Sequence, residues 1–248
     1  MDTEIIIAGG GLVGNALAIA LAQGGLKVTV IDPLPRAQQI AASFDGRTSA
    51  ISSGSVRILT HLGVWAHIAP FAQPIHDIRV CDEDKPGSVH YSDKDVGEPF
   101  GYIVENATLR RALFTALEGE ENIRLIEGTV SGFSTTPASA TVSLDVGESI
   151  TLREQAGIAQ RIIDYKQTAI VCVAEHANPH DGLALEKFYP AGPFAMLPLK
   201  SLPLPERGGQ GGGDTDPHPT SPFQREAYIH RSGIVWTEHE RAAPHSLG

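Results

Sequence analysis

Three glycines constrain this chain more than any other feature. Gly9, Gly11 and Gly14 form G-x-G-x-x-G between a β-branched run, Ile5-Ile6-Ile7, and a segment of helical composition from Leu12 to Gln23. The run suits a buried parallel strand, and the glycines end it. Gly24-Gly25 stops the helix, and Lys27 to Ile31 (KVTVI) reads as a second strand ending at Asp32. Strand, glycine turn, helix and strand make a βαβ unit. In such a unit the first glycine permits the tight turn, the second lets the main chain approach a pyrophosphate, and the third allows close helix–strand packing. Ala18, one helical turn past Gly14, keeps that contact face small. Amides at the helix start, aided by the helix dipole, then hold phosphates. Asp32 would accept hydrogen bonds from a ribose diol, which favours a free 2′-hydroxyl over a 2′-phosphate. The expected ligand is therefore the adenosine end of FAD or NAD rather than NADP. The bland alternative is a tight turn beside a solvated acid; the full order of strand, motif, helix, strand and acid favours dinucleotide binding.

The apolar stretch from Ile5 to Ala22 is long enough to raise a membrane helix or secretion signal. Asp2 and Glu4 precede it and no Lys or Arg does, whereas a signal peptide opens with positive charge. Three consecutive glycines also weaken a helix there, each by about 1 kcal/mol relative to Ala. A soluble chain is expected. With 19 Lys+Arg against 29 Asp+Glu the net charge is −10, which gives no electrostatic reason to expect nucleic acid. The 42% hydrophobic content suffices for a packed core. Cys81 and Cys172 lack C-x-x-C spacing, so neither a disulfide framework nor a zinc knuckle is indicated, and a reducing, cytoplasmic setting fits.

Beyond the βαβ unit, a Pro-punctuated loop follows Asp32. A helix is predicted from about Ser52 to Leu62 with Ser52 or Ser53 as its cap, and another from Leu109 to Leu117 capped by Asn106. Ile75 to Cys81 and Ile123 to Ile126 read as strands, with a polar stretch from Cys81 to Asp95. Ala140 to Leu152 alternates on either side of Val146-Gly147, the pattern of a hairpin. Thr168 to Ala174, Leu183 to Tyr189, Ala195 to Leu199 and Ala227 to Thr237 look like strands without intervening helices, hence an antiparallel sheet. Glu206 to Pro222 (ERGGQGGGDTDPHPTSP) is expected to be a mobile surface loop.

No catalytic side chain is evident. Pro179 between His176 and His180 opposes helical presentation of a zinc pair, so no metal site is expected. No serine lies in a G-x-S-x-G context, so hydrolysis has no support. Arg110 and Arg111 read as solvated cations or weak surface pairs.

The blocks DGRTSAISSGSVRILTHLGVW (Asp45 to Trp65), GYIVENATLRRAL (Gly101 to Leu113), REQAGI (Arg153 to Ile158), DYKQTAIVCVAEH (Asp164 to His176) and FYPAGPFAMLPL (Phe188 to Leu199) follow one another along the chain. Together they resemble the ubiquinone-biosynthesis flavin hydroxylases, most of all the 2-polyprenyl-6-methoxyphenol hydroxylases. These belong to the aromatic-ring monooxygenases with the p-hydroxybenzoate hydroxylase fold. The resemblance decides what the fingerprint leaves open and implies FAD. It implies an α/β fold: a Rossmann-like FAD-binding βαβ domain (residues 1–74 and 98–157) with an antiparallel β-sheet substrate domain (75–97 and 158–248, with the 206–222 loop), both incomplete. It implies that NAD(P)H reduces FAD and that a flavin C4a-hydroperoxide passes one oxygen atom from O2 to a polyprenyl phenol or similar aromatic ring. Other ubiquinone-biosynthesis proteins are implied partners, and a cytoplasmic place, peripheral at the inner membrane, is the implied setting.

By the same likeness Gly9, Gly11, Gly14 and Asp32 hold the ADP half of FAD, Arg47 reaches its phosphates and ribityl region, Asn106 lies near the ribityl chain, and main chain near Val130 passes the adenine. From the residues alone, Arg47 could be a surface cation and Asn106 only a helix cap. Tyr165, Gln167 and Pro190 to Phe194 are candidates to line the substrate pocket, with ordinary sheet packing as the alternative. An Asp-Gly strand and turn that relatives carry before the REQAGI block, and a later Gly-Asp helix start, have no counterpart here. The chain therefore reads as a truncated, internally deleted relative. Two rivals stay open: a nicotinamide-dependent dehydrogenase, and a non-catalytic remnant.

Overall fold

The computed structural model describes residues 3–41, 46–83, 85–137, 139–145, 161, 163–203 and 228–239. In chain order the strands are β1 (Ile5–Ala8), β2 (Val28–Asp32), β3 (Thr48–Ser52), β4 (Gln73–Ile75), β5 (Asp77–Asp82), β6 (Ser88–Ser92), β7 (Gly101–Glu105), β8 (Ile123–Glu127), β9 (Thr129–Thr135), β10 (Ala140–Asp145), β11 (Gln167–His176), β12 (Leu183–Tyr189), β13 (Gly192–Pro203) and β14 (Tyr228–His239). The helices are α1 (Leu12–Gln23), α2 (Arg36–Ala41), α3 (Ser53–His61), α4 (Trp65–Ile68) and α5 (Asn106–Glu118). The 206–222 loop and the REQAGI block lie outside the described residues. Among the described residues no helix is long and apolar enough to cross a membrane.

β1, β2 and β8 form a parallel sheet with β2 in the middle. Val28 and Val30 of β2 are buried because α1 and α5 bring Ala18, Ile19, Leu113, Phe114 and Leu117 to the same core. β1 departs from the buried strand its isoleucines suggest. Among the described residues it pairs with β2 alone, and Ile6 is 37% exposed. Beside this sheet lies a small antiparallel one, β3-β7-β4.

The third sheet has six strands in the order β11-β14-β13-β12-β5-β6. It is mixed rather than wholly antiparallel, because β12 runs parallel to β5. Only a hairpin forces antiparallel neighbours, and these two strands are far apart in the chain. Its inner face packs Leu199 and Ala184 against Ile75 and Ile103 of the small sheet. A hydrogen bond of 2.8 Å from Arg231 on β14 to Glu105 on β7 ties the same two layers.

The expected hairpin turn at Val146-Gly147 lies outside the described residues. β10 pairs with the preceding β9, across a turn closed by the Thr136 amide on the Ser139 carbonyl at 2.7 Å. One local expectation changes. Asn106 is the first residue of α5 and not its cap; extended Glu105 caps the helix without a side-chain bond. Ser52 does cap α3, its hydroxyl accepting the Ser55 amide hydrogen at 3.2 Å.

Candidate functional site

The turn between β1 and α1 is built by its glycines in different ways. Gly9 has φ +107°, a region open to glycine, and its amide donates to the Ile31 carbonyl at 2.8 Å. A Cβ on Gly14 would stand 1.9 Å from the Gly9 carbonyl oxygen, so helix and turn touch as they do only at glycine. A Cβ on Gly11 would meet nothing within 4 Å. Space is thus left in front of the helix start, where α1 has neither a side-chain cap bond nor an acidic residue in its first turn. Its first amides are left to an anion.

Asp32 closes the turn from the other side. Its Oδ2 accepts the Gly10 amide hydrogen at 2.7 Å, and its Oδ1 accepts from the Leu34 amide at 2.8 Å and the Gln39 side chain at 3.1 Å. A carboxylate has about four acceptor positions, so capacity for a further donor remains. Asn15 is 2% exposed. Its Nδ2 donates to the Gly10 carbonyl at 2.7 Å, while its Oδ1 is buried without a hydrogen-bond partner. Such an orphan acceptor costs about 1–3 kcal/mol unless a ligand supplies a donor.

These groups border a cavity of about 300 Å³ lined by Gly10, Asn15, Val30, Asp32, Leu34, Arg36, Gln39, Phe114, Leu125, Ile126 and Glu127. Arg36 and Gln39 were not foreseen, since α2 lay within a stretch that reads as loop. Their spacing of three places both on one helix face, and Pro35 before Arg36 suits a helix start. Arg36 pairs with Glu118 and stands 5.6 Å over the Phe114 ring, which fixes the guanidinium beside the cavity.

The remaining expected residues divide. Arg47 is exposed, just before β3, and its carbonyl accepts the Asn106 amide hydrogen at 3.1 Å. Asn106 Oδ1 accepts the Ser49 hydroxyl hydrogen at 2.7 Å. Ser49 in turn borders an apolar groove of about 610 Å³ that runs along α1 past Leu12 and Val13. Arg47 and Asn106 are therefore bonded to each other and, through Ser49, to the rim of this groove, while Asp32 and Arg36 border the smaller cavity. Val130 pairs with Leu144 in β9–β10 and does not line the cavity; Leu125, Ile126 and Glu127 stand there. Tyr165 is 72% exposed, and the Gln167 side chain donates to the Ala191 carbonyl at 2.8 Å. Phe194 alternates with Leu197 and Leu199, so it faces away from the layer those leucines pack on. The expected pocket against the cofactor layer is not lined by Phe194.

The family described as FAD binding domain matches residues 2–129. This chain belongs to that FAD-binding family. FAD is the family's cofactor, and the open space before α1, the spare acceptor position on Asp32 and the orphan Asn15 oxygen fit a group that carries phosphates and hydroxyls. The chain is 36% identical to the ubiquinone hydroxylase UbiL of Rhodospirillum rubrum, over 97% of this chain and 53% of that protein. It is 34% identical to the 3-demethoxyubiquinol 3-hydroxylase of Escherichia coli, over 79% of this chain and 54% of that protein. The chain thus spans about half the length of the curated relatives it matches. Among solved structures, PqsL of Pseudomonas aeruginosa superposes with a TM-score of 0.69 at 14% identity, covering 96% of this chain and 61% of that one. HpxO of Klebsiella pneumoniae, complexed with FAD and uric acid, gives 0.63 at 14%, covering 99% and 58%. At such identity these two establish the FAD-monooxygenase fold and nothing finer.

Proposed function

We propose that this chain is an FAD-dependent aromatic hydroxylase of ubiquinone biosynthesis, using NAD(P)H and O2 to insert one oxygen atom into a polyprenyl phenol or similar ring. The observation that carries the reading is the β1–α1 turn: Gly14 seated on the Gly9 carbonyl and Gly10 bonded to Asp32, beside a cavity of about 300 Å³. The names of the two relatives, both hydroxylases of ubiquinone or its precursors, support the substrate class. Bound FAD would supply the redox chemistry, taking a hydride from NAD(P)H and activating O2. The protein's part is placement. Asp32 holds the ribose diol, the first amides of α1 hold the pyrophosphate, and Gln39 and Arg36 close the mouth around the adenosine. Arg47 and Asn106 would meet the phosphate and ribityl part of the bound cofactor. The net change is one ring C–H converted to C–OH, with NAD(P)H oxidised and the second oxygen atom leaving as water. The reading places the protein in the cytoplasm, peripheral to the inner membrane, where polyprenyl rings are presented.

A second reading is cofactor binding without turnover. The uncovered edge of β1 and the open groove along α1 favour it, since both leave the site's surroundings incomplete among the described residues. One experiment separates them. The purified chain is reconstituted with FAD, its visible absorbance recorded, and NADH consumption followed with and without a prenylated phenol. Flavin retention with phenol-stimulated consumption and a hydroxylated product supports the first reading. Flavin retention alone supports the second, and failure to retain flavin removes both.

A further inference from the structure

The six-stranded sheet carries a hollow on the face its core does not use. Phe194 is in register with Trp236 on one side and Lys187 on the other, and the Phe194 and Trp236 rings meet edge to face with centroids 6.4 Å apart. Tyr189, two residues beyond Lys187, is in register with Gly192. These three aromatic side chains, with Pro190 and Ala191, line a cavity of about 440 Å³ whose other walls are Glu83 and Glu238. Neither glutamate has an ion-pair partner among the described residues, and no cationic side chain lines the cavity.

Aromatic faces and carboxylates share one preference. Both are negative toward the space they enclose, so they attract a cation and repel an anion. Tyr189 already displays the attraction, for the Lys187 ammonium stands 4.5 Å from its ring centroid. The net charge of −10 extends it to long range. The apolar floor selects further: a small, strongly hydrated metal ion gains nothing from ring faces, whereas an ammonium clothed in methyl groups buries them there. The volume suits a small organic molecule.

We propose that this hollow is a binding site for a small alkylated ammonium, held by Trp236, Phe194 and Tyr189 and neutralised by Glu83 and Glu238. It lies on the opposite face of the sheet from the cofactor layer and does not depend on the function proposed above. The test uses choline as probe and its uncharged tert-butyl isostere as control, with heat of binding and tryptophan fluorescence as readouts. Choline is expected to bind at least about tenfold more tightly than the isostere and to weaken as salt rises. The double variant Glu83→Gln/Glu238→Gln keeps shape and is expected to lose about tenfold in choline affinity, with unchanged circular dichroism. Lys187→Gln, which removes a neighbouring like charge, is expected to tighten choline and leave the isostere unchanged. Equal binding of the two probes, full choline affinity in the double glutamine variant, or no choline binding by the folded native chain each overturns the proposal. Should the double variant fail to fold, the comparison of probes and the Lys187→Gln response on the native background decide it.

Discussion

Asp32 and Gly14 act on the same turn by different physics, and substitution separates them. Asp32→Ala strips acceptors from the Gly10 and Leu34 amides and from Gln39. With about 1–3 kcal/mol lost for an unsatisfied buried donor, here the Gly10 amide, a fall of about 2 kcal/mol in unfolding free energy is expected in urea titration, together with loss of ADP binding. Gly14→Ala instead drives a methyl into the Gly9 carbonyl. It is expected to abolish ADP binding in calorimetry even where the chain still folds. Both residues were legible in the sequence because their constraint is local: a turn conformation and a strand end. Asn106 was misplaced by one position, since extended Glu105 fills the cap role without the side-chain bond that makes caps readable. Val130 came from likeness alone, and the cavity wall falls three residues earlier at Glu127. His180 offers a pH test at the same scale. Its Nε2 donates to the Leu199 carbonyl at 2.9 Å and its Nδ1 accepts from the Gly182 amide at 3.1 Å, so the ring is held neutral. Burial lowers its proton affinity most, His176 and His230 add to that, and the Leu199 bond and Asp181 oppose it. The unfolded chain then takes up the proton first, near pH 6.5. Stability from this group is therefore present above about pH 6.5 and lost as pH falls through the lower native value. The unfolding midpoint should drop between pH 7 and 5, and less steeply in His180→Gln.

At the scale of elements, legibility follows burial on one face. α1 and α5 announced themselves because one side of each meets the β2 core, and β11 to β14 because each is rich in apolar residues. β6 (SVHYS) went unread as a strand: Val89 and Tyr91 do alternate with polar residues, but over only five residues inside a polar stretch, and at this edge both stay about half exposed. It is held by its ladder to β5 and by His90 Nε2 on Asp77 Oδ1 at 2.7 Å. β3, β7 and β9 were likewise missed, since strands of five to seven residues with small or polar members carry little periodic signal. Capping is the element-level feature that the sequence exposed, and it can be measured. Ser52→Ala removes the acceptor for the Ser55 amide. A cost of about 1 kcal/mol is expected in chemical denaturation, largely recovered by Ser52→Asp. An unchanged midpoint would mean that solvent satisfies that helix start equally well.

Whole-molecule architecture was the least readable level, because pairings such as β5 with β12 join residues that no local pattern connects. What makes the layers one body is a small set of long-range contacts: Leu199, 2% exposed, against Ile75 and Ile103, and Arg231 on Glu105. The two tryptophans happen to report on opposite sides of that joint. Trp65 packs against Tyr102 of the small sheet with centroids 5.1 Å apart, while Trp236 sits on the large sheet beside Phe194. In Trp65→Phe and Trp236→Phe variants each remaining tryptophan follows its own layer through urea unfolding. If burial at the joint outweighs the freedom gained by separating the layers, the two curves coincide, as a single cooperative transition requires. Leu199→Ala, expected to remove about 2–5 kcal/mol at this buried position, should then shift both curves together. Curves that separate in the native background would show that the joint is weaker than either layer. The cofactor sheet would then fold without the large one, and flavin binding should survive conditions that melt the Trp236 signal.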